Sequence, residues 1–65
     1  MRHELMMFQE KSTPGTIRYT EVDGEGKKVK KADIIIGTLY IRKEALPKPV
    51  PEVIYVIVED QPEAD

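Results

Sequence analysis

His3 is the only histidine in a 65-residue chain that has no cysteine, so few residues here are of the types that build catalytic centres. A zinc site draws its four ligands mainly from cysteine and histidine, and one imidazole cannot supply a set. His3 also has no acid or nucleophile at a useful spacing, and it reads as a surface residue. Ser12 lies in the polar run QEKSTPG, residues 9–15, without a base to activate it; it reads as a turn or cap residue. The acids do cluster, at Glu21/Asp23/Glu25 and at Glu59/Asp60. EVDGEG is rich in oxygen but lacks the twelve-residue frame and closing glutamate of a calcium loop, so it reads as a solvated turn. GEGKK places glycines before lysines, but without the G-x-x-x-x-G-K-[ST] spacing or the strand-to-helix context that aims amides at a phosphate. The sequence therefore assigns no catalytic residue, metal ligand or cofactor, and the chain reads as non-enzymatic.

Charge is where the sequence offers a surface. The net charge is −2, yet residues 27–43 carry six basic groups against a single acid, Asp33. Drawn as a strand, KKVKK puts Lys28 and Lys30 on one side and Lys27, Val29 and Lys31 on the other. Two such arms, one per subunit, would straddle a duplex and meet phosphates. Lys27, Lys28, Lys30, Lys31, Arg42 and Lys43 are thus the candidate nucleic-acid contacts, with Arg18 alongside. No aromatic residue interrupts the run, so there is no stacking platform for single strands. The competing reading is a solvated ribbon whose lysines protect a sheet edge from strand addition.

The elements that would position these groups are strands. ELMMFQE, residues 4–10, is too closely followed by Ser12-Thr13-Pro14-Gly15 to be a long helix and is assigned as an N-terminal strand. TIRYTEV, residues 16–22, alternates, with Ile17 and Tyr19 on one side and Arg18 and Thr20 on the other. Asp23-Gly24 is a strong hairpin signal, and KKVKKAD is expected to continue as a charged ribbon into a strand through IIIGTLYIRK, residues 34–43. There Ile34, Ile36 and Tyr40 share one face and Ile35, Leu39 and Ile41 the other, with Gly37 marking a bulge or bend. Glu44 to Leu46 suits a single 3₁₀ turn before Pro47. The proline-rich KPVP then reads as a stiff crossing with Leu46 or Val50 tucked beneath it. In the closing strand, EVIYVIVED, Ile54, Val56 and Val58 alternate with Val53, Tyr55 and Ile57.

Strands apolar on both sides need cover on both sides, and no stretch is long enough for a crossover helix. Chains this small also bury limited surface and often need a staple or a partner. The expectation is an all-β fold: a small antiparallel sheet of three or four strands, dimerising through an apolar face, with residues 1–60 as a single β domain and 61–65 as an acidic disordered tail. Ile34, Ile36, Tyr40, Tyr55 and Ile57 are the candidate interface, and Ile35, Leu39, Ile54 and Val56 the candidate core; periodicity alone does not say which face is which. Tyr19, Tyr40 and Tyr55 suit half-buried sheet positions with the hydroxyl at the rim. No apolar run approaches the roughly 20 residues of a membrane helix, and the amino-terminal residues lack a signal-type apolar segment, so the default location is cytoplasmic.

TIRY at 16–19, IGTLYIRKEAL at 36–46 and PEVIYVIVE at 51–59 together resemble a group of small uncharacterised bacterial and phage proteins, a resemblance that implies no activity. YIRKEALPKPVPEVIYVIV is similar to the strand–turn–strand part of AbrB/MazE-type swapped-hairpin dimers, which implies a small dimeric DNA binder. The chain departs from that family in having a proline-rich crossing for a glycine-bearing turn and no early basic strand. Taken together, the residues favour a structural or protein-interaction module working as a homo-oligomer, with a DNA-binding or regulatory dimer as the alternative.

Overall fold

A computed structural model describes residues 1–60, which form four antiparallel strands in one curled, half-barrel sheet. The strands are β1 (Arg2–Ser12), β2 (Thr16–Val22), β3 (Thr38–Arg42) and β4 (Val53–Glu59), with single 3₁₀ turns at Lys31–Asp33 and Lys43–Ala45. The all-β expectation holds. The tail assigned to 61–65 lies outside the described residues.

The strand order is β3-β2-β1-β4. Three strands follow one another across the sheet and the fourth returns beside the first, which is the Greek-key arrangement. The tight turn is at Pro14-Gly15, where the Thr13 amide donates to the Thr16 carbonyl (2.9 Å) and the Thr13 hydroxyl accepts from the Thr16 amide (3.1 Å). Ser12 is the last residue of β1, paired with Ile17, so the capping role expected of it belongs to its neighbour. Register shifts between Gln9 and Lys11, leaving Glu10 as the extra residue of a β-bulge.

One face of the sheet holds the core. Met7, Ile17 and Tyr19 are buried, and Leu39, Ile41, Ile54 and Val56 pack against them. The ladders align these side chains: Met7 lies opposite Ile54, Leu5 opposite Val56, Ile17 opposite Ile41 and Tyr19 opposite Leu39. Fully burying a side chain of this size contributes about 1.5–3 kcal/mol. The chain supplies its own cover here. Ile36, Leu46 and Val50, all outside the strands, close over the core, and the Tyr19 hydroxyl donates to the Pro51 carbonyl at 2.8 Å. The proline-rich crossing is thus a second layer over this face.

Two expectations are corrected in the segment between β2 and β3. KKVKK is not a strand: it touches the sheet through one isolated bridge, Val22 to Lys28, and Lys31 already belongs to a 3₁₀ turn. The DGEG turn forms, with Gly26 at φ +80°, but Gly26 lies over the Phe8 ring, so the chain folds back over the sheet instead of extending a ribbon. Nor does IIIG enter β3. Gly37 adopts φ +87°, a conformation glycine takes without a Cβ penalty, and the alternation breaks there. Ile36 consequently packs with Leu39 and Ile41 in the core, whereas Ile34 and Ile35 are exposed. Ile36 and Ile35 therefore exchange the sides assigned to them from periodicity; Leu39, Ile54 and Val56 lie on the core face.

Candidate functional site

The least ordinary polar group is Glu21. It follows Ile17 and Tyr19 on the core face of β2 and is 4% exposed. Its carboxylate accepts hydrogen bonds from the backbone N–H groups of Ile36 (2.8 Å), Gly37 (3.0 Å) and Ile35 (3.1 Å). Burial pushes the carboxyl up, but the three amide donors outweigh it and hold Glu21 below the usual carboxylate range. The cradle needs the IIIG backbone to leave extended geometry, which is what Gly37 permits. Glu21 could have been noticed in the sequence as the third member of the period-two set Ile17, Tyr19, Glu21. Its partners lie 14 to 16 residues away and no local signal names them.

The acids around it do not converge. Asp23 Oδ1 accepts from the amides of Glu25 (2.8 Å) and Lys27 (3.0 Å), and these backbone donors lower its pKa. Both carboxylates are thus engaged by the chain itself. Among the described residues no group of three or more His, Asp or Glu side chains is placed to hold a metal ion. His3 is exposed on β1 opposite Val58.

The basic candidates separate. Lys28 Nζ lies 3.0 Å from Glu10 Oε2, and Arg18 Nε lies 2.9 Å from Glu10 Oε1. The latter is an ion contact without hydrogen-bond alignment. Lys28's hydrogen bond and charge, joined by Arg18, lower the Glu10 pKa, and the neighbouring Tyr40 and Glu10 shift the Arg18 pKa upward. Arg42 sits 3.4 Å from Glu44. Lys27, Lys30 and Lys31 are exposed on the irregular connection, and Lys43 begins the second 3₁₀ turn.

What the structure does assemble is an apolar area on the face opposite the core. Alternation along β4 turns Val53, Tyr55 and Ile57 outward, where they are 39%, 79% and 52% exposed. Met6 lies opposite Tyr55, and Phe8 opposite Val53, both half-buried beside them. Tyr40, also exposed, is on the same face but across the sheet on β3, near Arg18. The outer face is therefore mixed: Val53 and Tyr55 adjoin Phe8 and Met6, Ile57 adjoins Glu4, and β2 adds Arg18, Thr20 and the buried Val22. A groove of about 530 Å³ adjoins this face, lined by the bulged Gln9–Ser12 end of β1 with Phe8, Glu52 and Val53. Of the candidate interface residues, Tyr40, Tyr55, Ile57 and Ile34 are exposed, whereas Ile36 is partly buried against the core.

The fold and this surface define a small Greek-key β domain whose core face is covered by the proline-rich crossing and whose outer face is exposed along β4. No family model matches the chain, and no curated protein or solved structure matches it. The resemblances drawn from TIRY, IGTLYIRKEAL and the closing segment stand on those residues alone. No helix among the described residues is long and apolar enough to cross a membrane.

Proposed function

We propose that the chain is a non-enzymatic protein-interaction module, and that its working surface is the outer face of β4 and the adjoining part of β1. The observation that carries this reading is Tyr55, 79% exposed between two further exposed apolar side chains, Val53 and Ile57. Scattered apolar residues on a surface are ordinary, but contiguous patches mark interaction sites. Tyrosine is enriched in interfaces because it offers large rigid area with a polar tip. The nucleic-acid alternative has weaker support, since Lys28 and Arg42 already face acids.

The reading requires association. Sedimentation velocity across the micromolar range should show a concentration-dependent shift, removed by Tyr55→Lys with the circular dichroism spectrum unchanged. A wild-type chain that stays monomeric throughout would take away the premise.

A further inference from the structure

We infer that the partner at this surface is a second copy of the chain, and that β4 pairs with β4 of that copy, antiparallel, about a two-fold axis at Val56. This rests on the interaction reading above and specifies its partner and geometry.

β4 is an edge strand, and the two hydrogen bonds that bracket it reveal which of its groups are free. The Gln9 amide donates to the Glu52 carbonyl at 2.7 Å, and the Asp60 amide to the Met1 carbonyl at 3.3 Å. In the register that runs from Phe8–Val53 to Arg2–Glu59, the even-numbered residues Ile54, Val56 and Val58 therefore exchange bonds with β1. Antiparallel strands alternate such pairs, so the N–H and C=O groups of Val53, Tyr55, Ile57 and Glu59 point to the open edge. Natural edge strands are blunted by lysine, proline, inward charge or a bulge. Val53 to Val58 has none of these.

Self-pairing must satisfy two conditions. Residues directly opposite share a sheet face, and outward-pointing groups must meet outward-pointing groups. An axis at Val56 meets both for every free residue: Tyr55 pairs with Ile57 of the second copy and Val53 with its Glu59, each in both directions. Moving the axis to Tyr55 would set Glu59 against Pro51, which has no N–H and whose carbonyl already accepts from Tyr19. Moving it to Ile57 would set Tyr55 against Glu59, taking the exposed aromatic ring away from an apolar neighbour. The axis at Val56 also avoids opposed charges, because Glu59 meets a valine and is held by Arg2 at 2.6 Å. On the outer face Tyr55 then packs beside Ile57 of the second copy, and the two sheets join into one.

Amide hydrogen exchange on the wild-type chain, at concentrations below and above the association midpoint, tests this directly. Tyr55 and Ile57 should exchange roughly tenfold more slowly or better in the associated state, whereas Ile54, Val56 and Val58 are protected at both concentrations. Ile57→Pro removes an outward donor without touching the ladder to β1, the position where an edge strand tolerates proline, and should give a folded monomer. Association that survives Ile57→Pro, or that leaves the Tyr55 and Ile57 amides unprotected, overturns edge pairing while the interaction reading stands. A wild-type chain that never associates overturns both. Should Ile57→Pro fail to fold, the wild-type exchange pattern decides alone.

Discussion

Replacing Glu21 is the most demanding test of how this small domain is held together. Glu21→Ala would leave the amides of Ile35, Ile36 and Gly37 without their acceptor. A buried donor left unsatisfied costs about 1–3 kcal/mol. Ile34 and Ile35 are exposed, so water can reach part of the opened cradle, and a net loss near the low end for each donor gives about 3 kcal/mol. A domain of this length has a total stability on the order of 3–10 kcal/mol, so the loss would be a large part of it. Glu21→Gln keeps the volume and one acceptor oxygen but removes the charge, and should lose about 1.5 kcal/mol, the lower end for a hydrogen bond to a charged group. Urea denaturation followed by circular dichroism measures both. The pH dependence supplies a second readout. Because the folded carboxyl titrates below its unfolded value of about 4.3, its stabilisation is fully present above that pH and is lost as pH falls through the lower folded value. Glu21→Gln should therefore flatten the acid limb of the stability profile. The reasoning fails if both variants keep midpoints within about 0.5 kcal/mol of wild type, the range of ordinary surface substitutions, or if the acid limb is unchanged in Glu21→Gln.

Other substitutions probe the remaining supports. Gly37→Ala forces a Cβ into a φ of +87° at 3.4 Å from the Ile34 side chain; it should destabilise by about 1–2 kcal/mol and speed exchange at the Ile35 and Ile36 amides. Tyr19→Phe deletes the bond to the Pro51 carbonyl and should lower stability by about 1 kcal/mol in urea melts, with the spectrum otherwise retained. Met7→Ala hollows the centre of the core, where Met7 is fully buried; a loss of about 2–5 kcal/mol should leave the chain substantially unfolded in thermal melts.

The strands were legible where alternation was local. TIRYTEV and VIYVIVE fold where their period-two patterns place them, because each side chain's face follows from its neighbours in sequence. The proline crossing was legible for a similar reason, since Pro47, Pro49 and Pro51 exclude a ladder strand. IIIG was misread because an apolar run resembles a strand until a distant carboxylate demands its amides, and no pattern within residues 33–43 announces Glu21. KKVKK was misread because its path is set by Gly26 lying over Phe8 and by Glu10, contacts made across the sheet. At the surface, Tyr55 and Ile57 were visible as one side of a strand. That this side opens to solvent depends on which face the crossing covers, a question of topology.

The arrangement of β1 between β2 and β4 also dictates an order of events in folding. β1 and β2 meet through a two-residue turn, whereas the β1–β4 ladder joins residues up to 57 apart, as Arg2 is from Glu59. Closing long loops is slow relative to forming a hairpin, so the β1–β4 ladder is expected to form after the β1–β2 hairpin, with one side of β1 unpaired until then. During that interval both β1 and VIYVIV are open to foreign strands, which makes the rate of this last docking step the quantity that separates productive folding from aggregation at high concentration.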